Sequence, residues 1–389
     1  MKIVVISPFY HPSMGGVETI VKQTAEELAR RKYAVSVITT TCSNSWTELS
    51  EPGVKVENGV TVYRLKPQLT KIGYATLMDG LKTIIKREKP DIVHSHNLHP
   101  HLFQALSFKN DGHFKLVAQL HYPAATGIDH IGAKLAYPVV TTLLQRQQQK
   151  VDAFIVHTNL EKIWLISKGF DEQKIHKLSY PCASSMLFEK CAKDAGKGGS
   201  MAGMAEEPDL LYVGRITRRK GLHVLLQALP SVISDVKGLT AVIAGPTDKT
   251  YYKTLAALAR ELNLGNHVIF SQALPEEVKY RIMCKCKLFV VPSIRDYTPV
   301  TLIEAQALGK PVISTITGAI PEIVKNGETG LLVEPQNPIA LAEAIKCLLL
   351  NEEKKEFMGK NALQWVRLNF LLDDVVDKLE KLYHDCMAN

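Results

Sequence analysis

Short blocks of branched apolar residues alternate along the chain with longer stretches of helical period. KIVVIS (2–7) is too short an apolar run for a helix and predicts a buried strand. VETIVKQTAEELARR (17–31) puts Val17, Ile20, Val21, Thr24 and Leu28 on one stripe, the spacing of an amphipathic helix. Strands are predicted next at 34–40, 59–65, 91–96, 115–121 and 153–158. A helix over 76–88 ends before Pro90, and another lies between the last two strands. Val/Ile-rich strands with little polar alternation are buried on both faces, so these βα repeats predict a parallel, doubly wound sheet.

The pattern then breaks. KCAKDAGKGGSMAGMAEEPD (190–209) is rich in Gly, Ala and charge, has no periodicity and reads as a flexible connection. A second βα series follows, with strands at 209–216, 239–245, 267–272, 287–293 and 310–315. Its helices are expected near 221–235, 250–263, 276–285, 300–309, 319–325 and 338–350. The tail from about 353 to 386 is helical by pattern. The expected organisation is therefore α/β, with two Rossmann-like domains and a ligand cleft at the carboxyl ends of both sheets. Its parts are a first domain at 1–186, a linker at 187–208, a second domain at 209–365, and a helix at 366–389 packing back across the domains.

A length of 389 residues suits two such cores better than one. Hydrophobic residues at 46% and charged ones at 22% exclude wholesale disorder. The net charge of +8 favours anionic partners such as sugar nucleotides or lipid headgroups. Neither an RNP-like aromatic pattern nor a dense Lys/Arg block is present, which argues against nucleic acid. The seven cysteines form no CxxC pair, pointing to reduced thiols and a cytoplasmic setting. No apolar run reaches the ~20 residues that span a bilayer, so any membrane contact is peripheral. Lys82, Lys86, Arg87 and Lys89, with LLQRQQQK (143–150), form either a solvated helix face or a surface for anionic lipid.

Four stretches carry chemistry. Gly15 and Gly16 stand before the first helix, either as a tight turn or as bare amides for an anion at the helix start. In YVGRITRRKG (212–221), Arg215 offers a fork of donors and Lys220 a point charge at a strand's carboxyl end; a basic surface loop is the alternative. DIVHSHNLHPH (91–101) holds His94, His96, His99 and His101, and His121 closes QLH; both fall at strand ends. The H-x-H spacing lacks the companion Cys or acidic residues of a zinc site, so no metal is expected there. In PSIRDYTPVTLIEAQALGKP (292–311), Asp296 and Glu304 flank a helix start, as solvated acids or as ligands for hydroxyl groups. Nucleophile-elbow, P-loop and D-x-D patterns are missing, as is the G-x-G-x-x-G fingerprint of hydride-transfer enzymes.

Taken in order, GGVET, DIVHSHN, GRITRRKG, the pair D-x7-E, EAQALGKPVI and TGAIPE resemble the retaining glycosyltransferases of family four, which have the GT-B fold. The resemblance spans nearly the whole chain. It implies transfer of a hexosyl unit from a UDP- or GDP-sugar to a sugar, polyol or lipid-linked acceptor, without a metal or other cofactor. It also implies roles by position. Gly15 and Gly16 let amides approach the donor diphosphate and the acceptor, and Arg215 and Lys220 neutralise the diphosphate. Glu304 takes the ribose hydroxyls, Asp296 the sugar hydroxyls, and Thr298 and Val300 line the same nucleotide-sugar site. His121 sits by the transferred sugar, with His94 and His96 as cleft residues.

Two departures stand out. The family's first acidic residue is Glu where this chain has Asp296, and its Gly where this chain has Pro299, which carries no N–H. Thr298 then offers a hydroxyl in place of that amide. Rival readings are a sugar-nucleotide 2-epimerase, which shares the two-domain architecture, and a nucleotide-sugar-binding subunit without activity of its own.

Overall fold

A computed structural model describes residues 1–13, 15–43, 47–68, 77–98, 100–121, 131–182 and 207–388. The linker placed at 187–208 lies outside these, apart from Glu207 and Pro208. The chain forms two compact units, Met1–Pro181 with Leu372–Asn389, and Cys182–Leu371.

In the first unit, β1 (Lys2–Ile6), β2 (Ala34–Thr40), β3 (Gly53–Glu57) and β4 (Val60–Leu65) are followed by the short hairpin of β5 (Pro67–Gln68) and β6 (Leu77–Met78). Strands β7 (Ile92–His96), β8 (Lys115–Gln119), β9 (Ala153–Val156) and β10 (Ile175–Lys177) complete a sheet of order β10-β9-β8-β7-β1-β2-β4-β3. All its pairings are parallel except β3 with β4. The edge strand β3, with Val54 and Val56 exposed, has too weak an apolar signal for the sequence reading to name it.

Helix α1 (Gly16–Arg30) buries Ile20, Val21, Thr24 and Leu28 of the predicted stripe, leaves Val17 half-buried and adds Ala25. Helix α2 (Leu81–Glu88) starts five residues later than the pattern predicts. Gly80 adopts a left-handed conformation (φ +84°) that stops the helix from extending back, and Leu77–Met78 pair as strand instead. Helices α3 (Pro100–Ser107), α4 (Ile131–Arg146) and α5 (Asn159–Ser167) connect the remaining strands. A capping box starts α5: the Thr158 hydroxyl accepts from Glu161 N–H (3.1 Å), and Glu161 Oε2 accepts from Thr158 N–H (3.1 Å) and His157 N–H (2.5 Å).

The second unit is a six-stranded parallel sheet, β11 (Leu210–Val213), β12 (Ala241–Ala244), β13 (Val268–Ser271), β14 (Leu288–Val291), β15 (Val312–Thr315) and β16 (Gly330–Val333). Its order is β13-β12-β11-β14-β15-β16, the Rossmann arrangement with a switch point between β11 and β14. Its helices are α6 (Leu222–Asp235), α7 (Lys249–Glu261), α8 (Glu276–Lys285), α9 (Val300–Ala307), α10 (Ile320–Ile323), α11 (Pro338–Leu349) and α12 (Glu352–Asn369).

The helix expected at 366–389 is divided. It breaks at Phe370–Leu371, where the Cys182 N–H donates to Phe370 O (2.8 Å), and α12 belongs to the second unit. The final helix α13 (Leu372–Ala388) belongs to the first. There Val376, Leu379 and Tyr383 share a core with Val21, Ala25 and Leu28 of α1. Arg31, at the end of α1, binds Glu380 (2.9 Å), Asp377 and the Asp373 carbonyl oxygen (3.1 Å).

Candidate active site

At the switch point of the second unit, β11 pairs with β14 only through Leu210↔Leu288 and Leu211↔Phe289. Both strands run two residues further, so they part at their carboxyl ends, where the loops 214–221 and 292–299 begin. Those loops are tied together: Arg219 O accepts from Ile294 N–H (2.8 Å) and Arg295 N–H (3.2 Å). Gly221 makes the close approach possible. It is left-handed (φ +69°), and a Cβ there would lie 2.0 Å from Pro292 O.

Within these loops Lys220 and Asp296 form an ion pair, their side chains only 12% and 8% exposed. The two groups that the resemblance assigns to different parts of a ligand are here each other's partner. Asp296 also accepts from the Ser293 hydroxyl (3.0 Å) and from Tyr297 N–H (3.0 Å). Burial pulls the Lys220 ammonium below the ordinary lysine range, an effect that Asp296 partly offsets. Burial works against the Asp296 carboxylate too, but Lys220 and the Ser293 hydroxyl outweigh it and hold the group below the usual range.

Arg215 is exposed just after β11, where the Tyr212 hydroxyl donates to its carbonyl (2.8 Å). The TGAIPE turn presses on the acidic loop from the other side. Ala319 N–H donates to Tyr297 O (3.0 Å), and Gly318 (φ +57°) has room for no Cβ, which would sit 2.0 Å from Asp296 O.

Helix α9 starts at Val300 behind Pro299, whose side chain provides no cap. The Thr298 hydroxyl beside it is buried, with no hydrogen-bond partner among the described residues. One turn on, Glu304 has a side chain only 6% exposed. Its Oε1 accepts from Lys279 Nζ (2.8 Å) and the Tyr280 hydroxyl (3.0 Å), while its Oε2 is buried with no partner among the described residues. A buried carboxylate oxygen left without a donor is costly, and a ligand hydroxyl would relieve that cost.

The edge of the first sheet is different in kind. His94 and His96 on β7, His121 two residues past β8, and His157 just past β9 form a row. Successive ring centroids are 4.4, 5.2 and 4.9 Å apart, and Tyr180 stacks on His157 at 3.7 Å. His96 Nδ1 and His121 Nε2 share a hydrogen bond (2.9 Å), and His94 Nδ1 meets the Tyr383 hydroxyl (2.6 Å). His157 Nδ1 donates to Leu178 O (2.9 Å), so its Nε2 accepts from Gln119 (3.0 Å) and the ring is neutral. Burial pushes His94 and His157 down to about 3, and His96 and His121 well below the ordinary histidine range. His121 is the one ring of the four with partial exposure. His101 is buried and donates to His96 O (2.8 Å), and His99 lies outside the described residues.

Among the described residues no group of three or more His, Cys, Asp or Glu side chains could hold a metal ion. Gly15 precedes α1 in extended conformation and Gly16 is the helix's first residue.

The structure thus gathers Lys220, Asp296, Thr298, Val300 and Glu304 around one switch point, with Arg215 on the adjoining loop, and places His94, His96 and His121 in one stack. Sequence reasoning missed Ser293, Lys279 and Tyr280 in the second unit, and Gln119, His157 and Tyr180 in the first. Only His157 carried a signal, since AFIVHT repeats the strand-then-histidine ending of KLVAQLH.

Comparison with known proteins decides the family. Residues 14–179 match the family model described as Glycosyltransferase Family 4, and residues 203–365 match Glycosyl transferases group 1. The chain belongs to the family four glycosyltransferases. This glycosyltransferase is 26% identical to the D-inositol 3-phosphate glycosyltransferase of Corynebacterium urealyticum, over 95% of this chain and 90% of that one. Among solved structures it resembles the sucrose-phosphate synthase of Thermosynechococcus elongatus, with a TM-score of 0.78 at 22% identity, covering 100% and 99% of the two chains. Anabaena HepE in complex with UDP-glucose matches with a TM-score of 0.73 at 18% identity, over 99% and 100%. The fold of the glycosyltransferase is GT-B, built from two Rossmann-like units.

Proposed function

We propose that this glycosyltransferase moves a hexosyl unit from a nucleoside diphosphate sugar to a hydroxyl acceptor, with retention at the anomeric carbon and without a metal. The observation that carries the donor assignment is the buried Oε2 of Glu304, without a partner among the described residues and one helical turn into α9, the helix that follows the Asp296 loop. Glu304 takes the ribose hydroxyls. Arg215 and Lys220 supply positive charge to the diphosphate, the service a metal would otherwise give. When the diphosphate draws Lys220 to itself, Asp296 is released to meet a sugar hydroxyl, and the Thr298 hydroxyl gains the partner it lacks. Val300 lines this site, the amides at Gly15 and Gly16 serve anionic groups, and His121 serves the transferred sugar.

The leaving phosphate takes the acceptor proton on the face from which it departs, so the new bond forms where the old one breaks. Positioning and charge stabilisation supply most of the rate. HepE in complex with UDP-glucose supports a sugar nucleotide as donor, and the inositol phosphate relative supports a polyol acceptor. Seven cysteines without a CxxC pair suit a reducing cytoplasm.

We further propose peripheral contact of the first unit with an anionic membrane. No helix among the described residues is long and apolar enough to cross one. Lys82 of the basic α2 cluster is engaged by Asp111 (2.9 Å), so the support comes mainly from exposed Val139 and Leu143 on α4 and Leu160, Ile163 and Ile166 on α5. Flotation with vesicles containing anionic lipid should carry the protein up, and recovery in the pellet fraction at every lipid composition would end this proposal.

The deciding experiment screens UDP- and GDP-sugars with polyol, sugar and lipid acceptors in the presence of a chelator, and determines the product anomer by NMR. Retained configuration and chelator-resistant turnover are expected. An inverted anomer overturns retention. Conversion of the sugar nucleotide without acceptor reassigns the protein as an epimerase, and binding without turnover leaves it a binding subunit. Unchanged nucleotide release by Arg215→Ala and Lys220→Ala would remove the diphosphate assignment.

A further inference from the structure

Helix α8 lies outside every motif that points to the donor site, yet it supplies both groups that hold Glu304. Lys279 Nζ (2.8 Å) and the Tyr280 hydroxyl (3.0 Å) converge on the same carboxylate oxygen. Lys279 Nζ also lies 4.1 Å from the centroid of the Tyr280 ring, so the phenol holds the ammonium on its face while its hydroxyl reaches the carboxylate. Burial, followed by the neighbouring Glu304, pushes the Tyr280 hydroxyl well above its ordinary range, so it remains a donor.

A glutamate carboxylate can turn about its last torsion and present either oxygen. Two donors on Oε1 remove that freedom and leave Oε2 as the acceptor on offer. We infer that Lys279 and Tyr280 are positioning residues that set Glu304 for ribose recognition, and so fix the preference for ribonucleotide over deoxyribonucleotide donors. This rests on the reading of Glu304 as the ribose ligand. Lys279 also places a compensating charge beside a carboxylate whose side chain is 6% exposed, which would otherwise be buried alone.

The test measures affinity for UDP and 2′,3′-dideoxy-UDP by calorimetry, with the GDP pair in parallel, in the full-length protein. The wild type should favour the ribose form about tenfold or more, the worth of one charge-assisted hydrogen bond. Lys279→Met and Tyr280→Phe keep the apolar volume of each side chain, and each should reduce that ratio several-fold (about one weaker hydrogen bond). Affinity for the dideoxy form should not change. Lys279→Arg should restore much of the ratio, and Lys279→Met should add nothing in a Glu304→Gln background. If the wild type does not distinguish ribose from dideoxyribose, the reading of Glu304 itself fails. If it does and both variants keep the full ratio, Glu304 stands and the positioning inference is overturned. Equal loss for both nucleotides in the variants would also overturn it, since that is what a purely structural role predicts.

Discussion

At the carboxyl edge of the first sheet four imidazoles stack, three of them buried, and at the corresponding edge of the second two lysines and two carboxylates form largely buried pairs. Both solutions obey the same constraint. An isolated charge in an apolar interior is too costly to keep, so it is either suppressed or matched. The first unit suppresses it, holding His94 and His157 down to about 3. The second matches it, setting Lys220 against Asp296 and Lys279 against Glu304. Under the proposed function, a neutral stack would suit an uncharged sugar, and paired charges would be exchanged for those of an incoming diphosphate.

The sharpest way to break this contrast is to strand one member of a pair. Lys220→Met leaves the Asp296 carboxylate buried without its counter-charge, so stability should fall by about 3–5 kcal/mol in urea unfolding. Nucleotide release should fall roughly a thousandfold, as when a preorganised charge at a reacting centre is removed. Adding Asp296→Asn should recover much of the stability and none of the turnover. A double variant no more stable than the single one would mean that a stranded Asp296 carboxylate is not what destabilises Lys220→Met.

Acid should distinguish the units next. An unfolded histidine binds a proton below about 6.5, while the buried rings do not until about 3. The unfolded state therefore binds more protons in that window, and stability is full above about 6.5 and lost as pH falls towards 3. Each such ring should cost about 2 kcal/mol at pH 5. The check is the urea midpoint at pH 7 and pH 5, read by Trp164 fluorescence in a Trp46→Phe, Trp365→Phe background. His157→Gln should lessen the drop, and an unchanged midpoint would show that the stack takes up protons without unfolding.

A smaller effect is expected from backbone geometry. Gly318→Ala forces a left-handed residue against Asp296 O, where its Cβ would lie 2.0 Å away, and should weaken nucleotide binding about tenfold through the displaced loop. Gly238 is equally left-handed (φ +72°) but faces open space, so Gly238→Ala should cost ~1 kcal/mol of stability and leave binding alone. Equal effects on binding would mean that the Gly318 contact is incidental to the site.

Much of the architecture was legible because Val/Ile blocks and Gly or Pro boundaries report local structure. Strands such as 288–291 and 312–315 fall within one or two residues of the pattern. The break at Phe370–Leu371 was not legible. The apolar stripe runs on through LQWVRLNFLLDDVV without Gly or Pro, and the division comes from where each half finds a core. The acidic pair was visible by its spacing, whereas Lys279 in EEVKYR looks like any solvated helical lysine until tertiary structure brings Glu304 to it. Likewise the histidine stack needs the parallel register of β7, β8 and β9, which sets three separate strand ends side by side.

Pro299 should yield the smallest and most specific change. It holds φ −72° in extended conformation at the start of α9, a geometry that alanine adopts without strain. Pro299→Ala therefore restores one N–H beside the unpartnered Thr298 hydroxyl, at a stability cost of about 1 kcal/mol or less from the freer unfolded chain. Nucleotide affinity should stay constant, because Arg215, Lys220 and Glu304 are untouched. The ratio of turnover between sugars on the same nucleotide should shift several-fold, as one added hydrogen bond allows. If that ratio is unchanged by Pro299→Ala but altered by Thr298→Val, the hydroxyl alone sets sugar preference in the charged unit. If neither substitution moves it, sugar selection must come from Asp296 or from the uncharged stack.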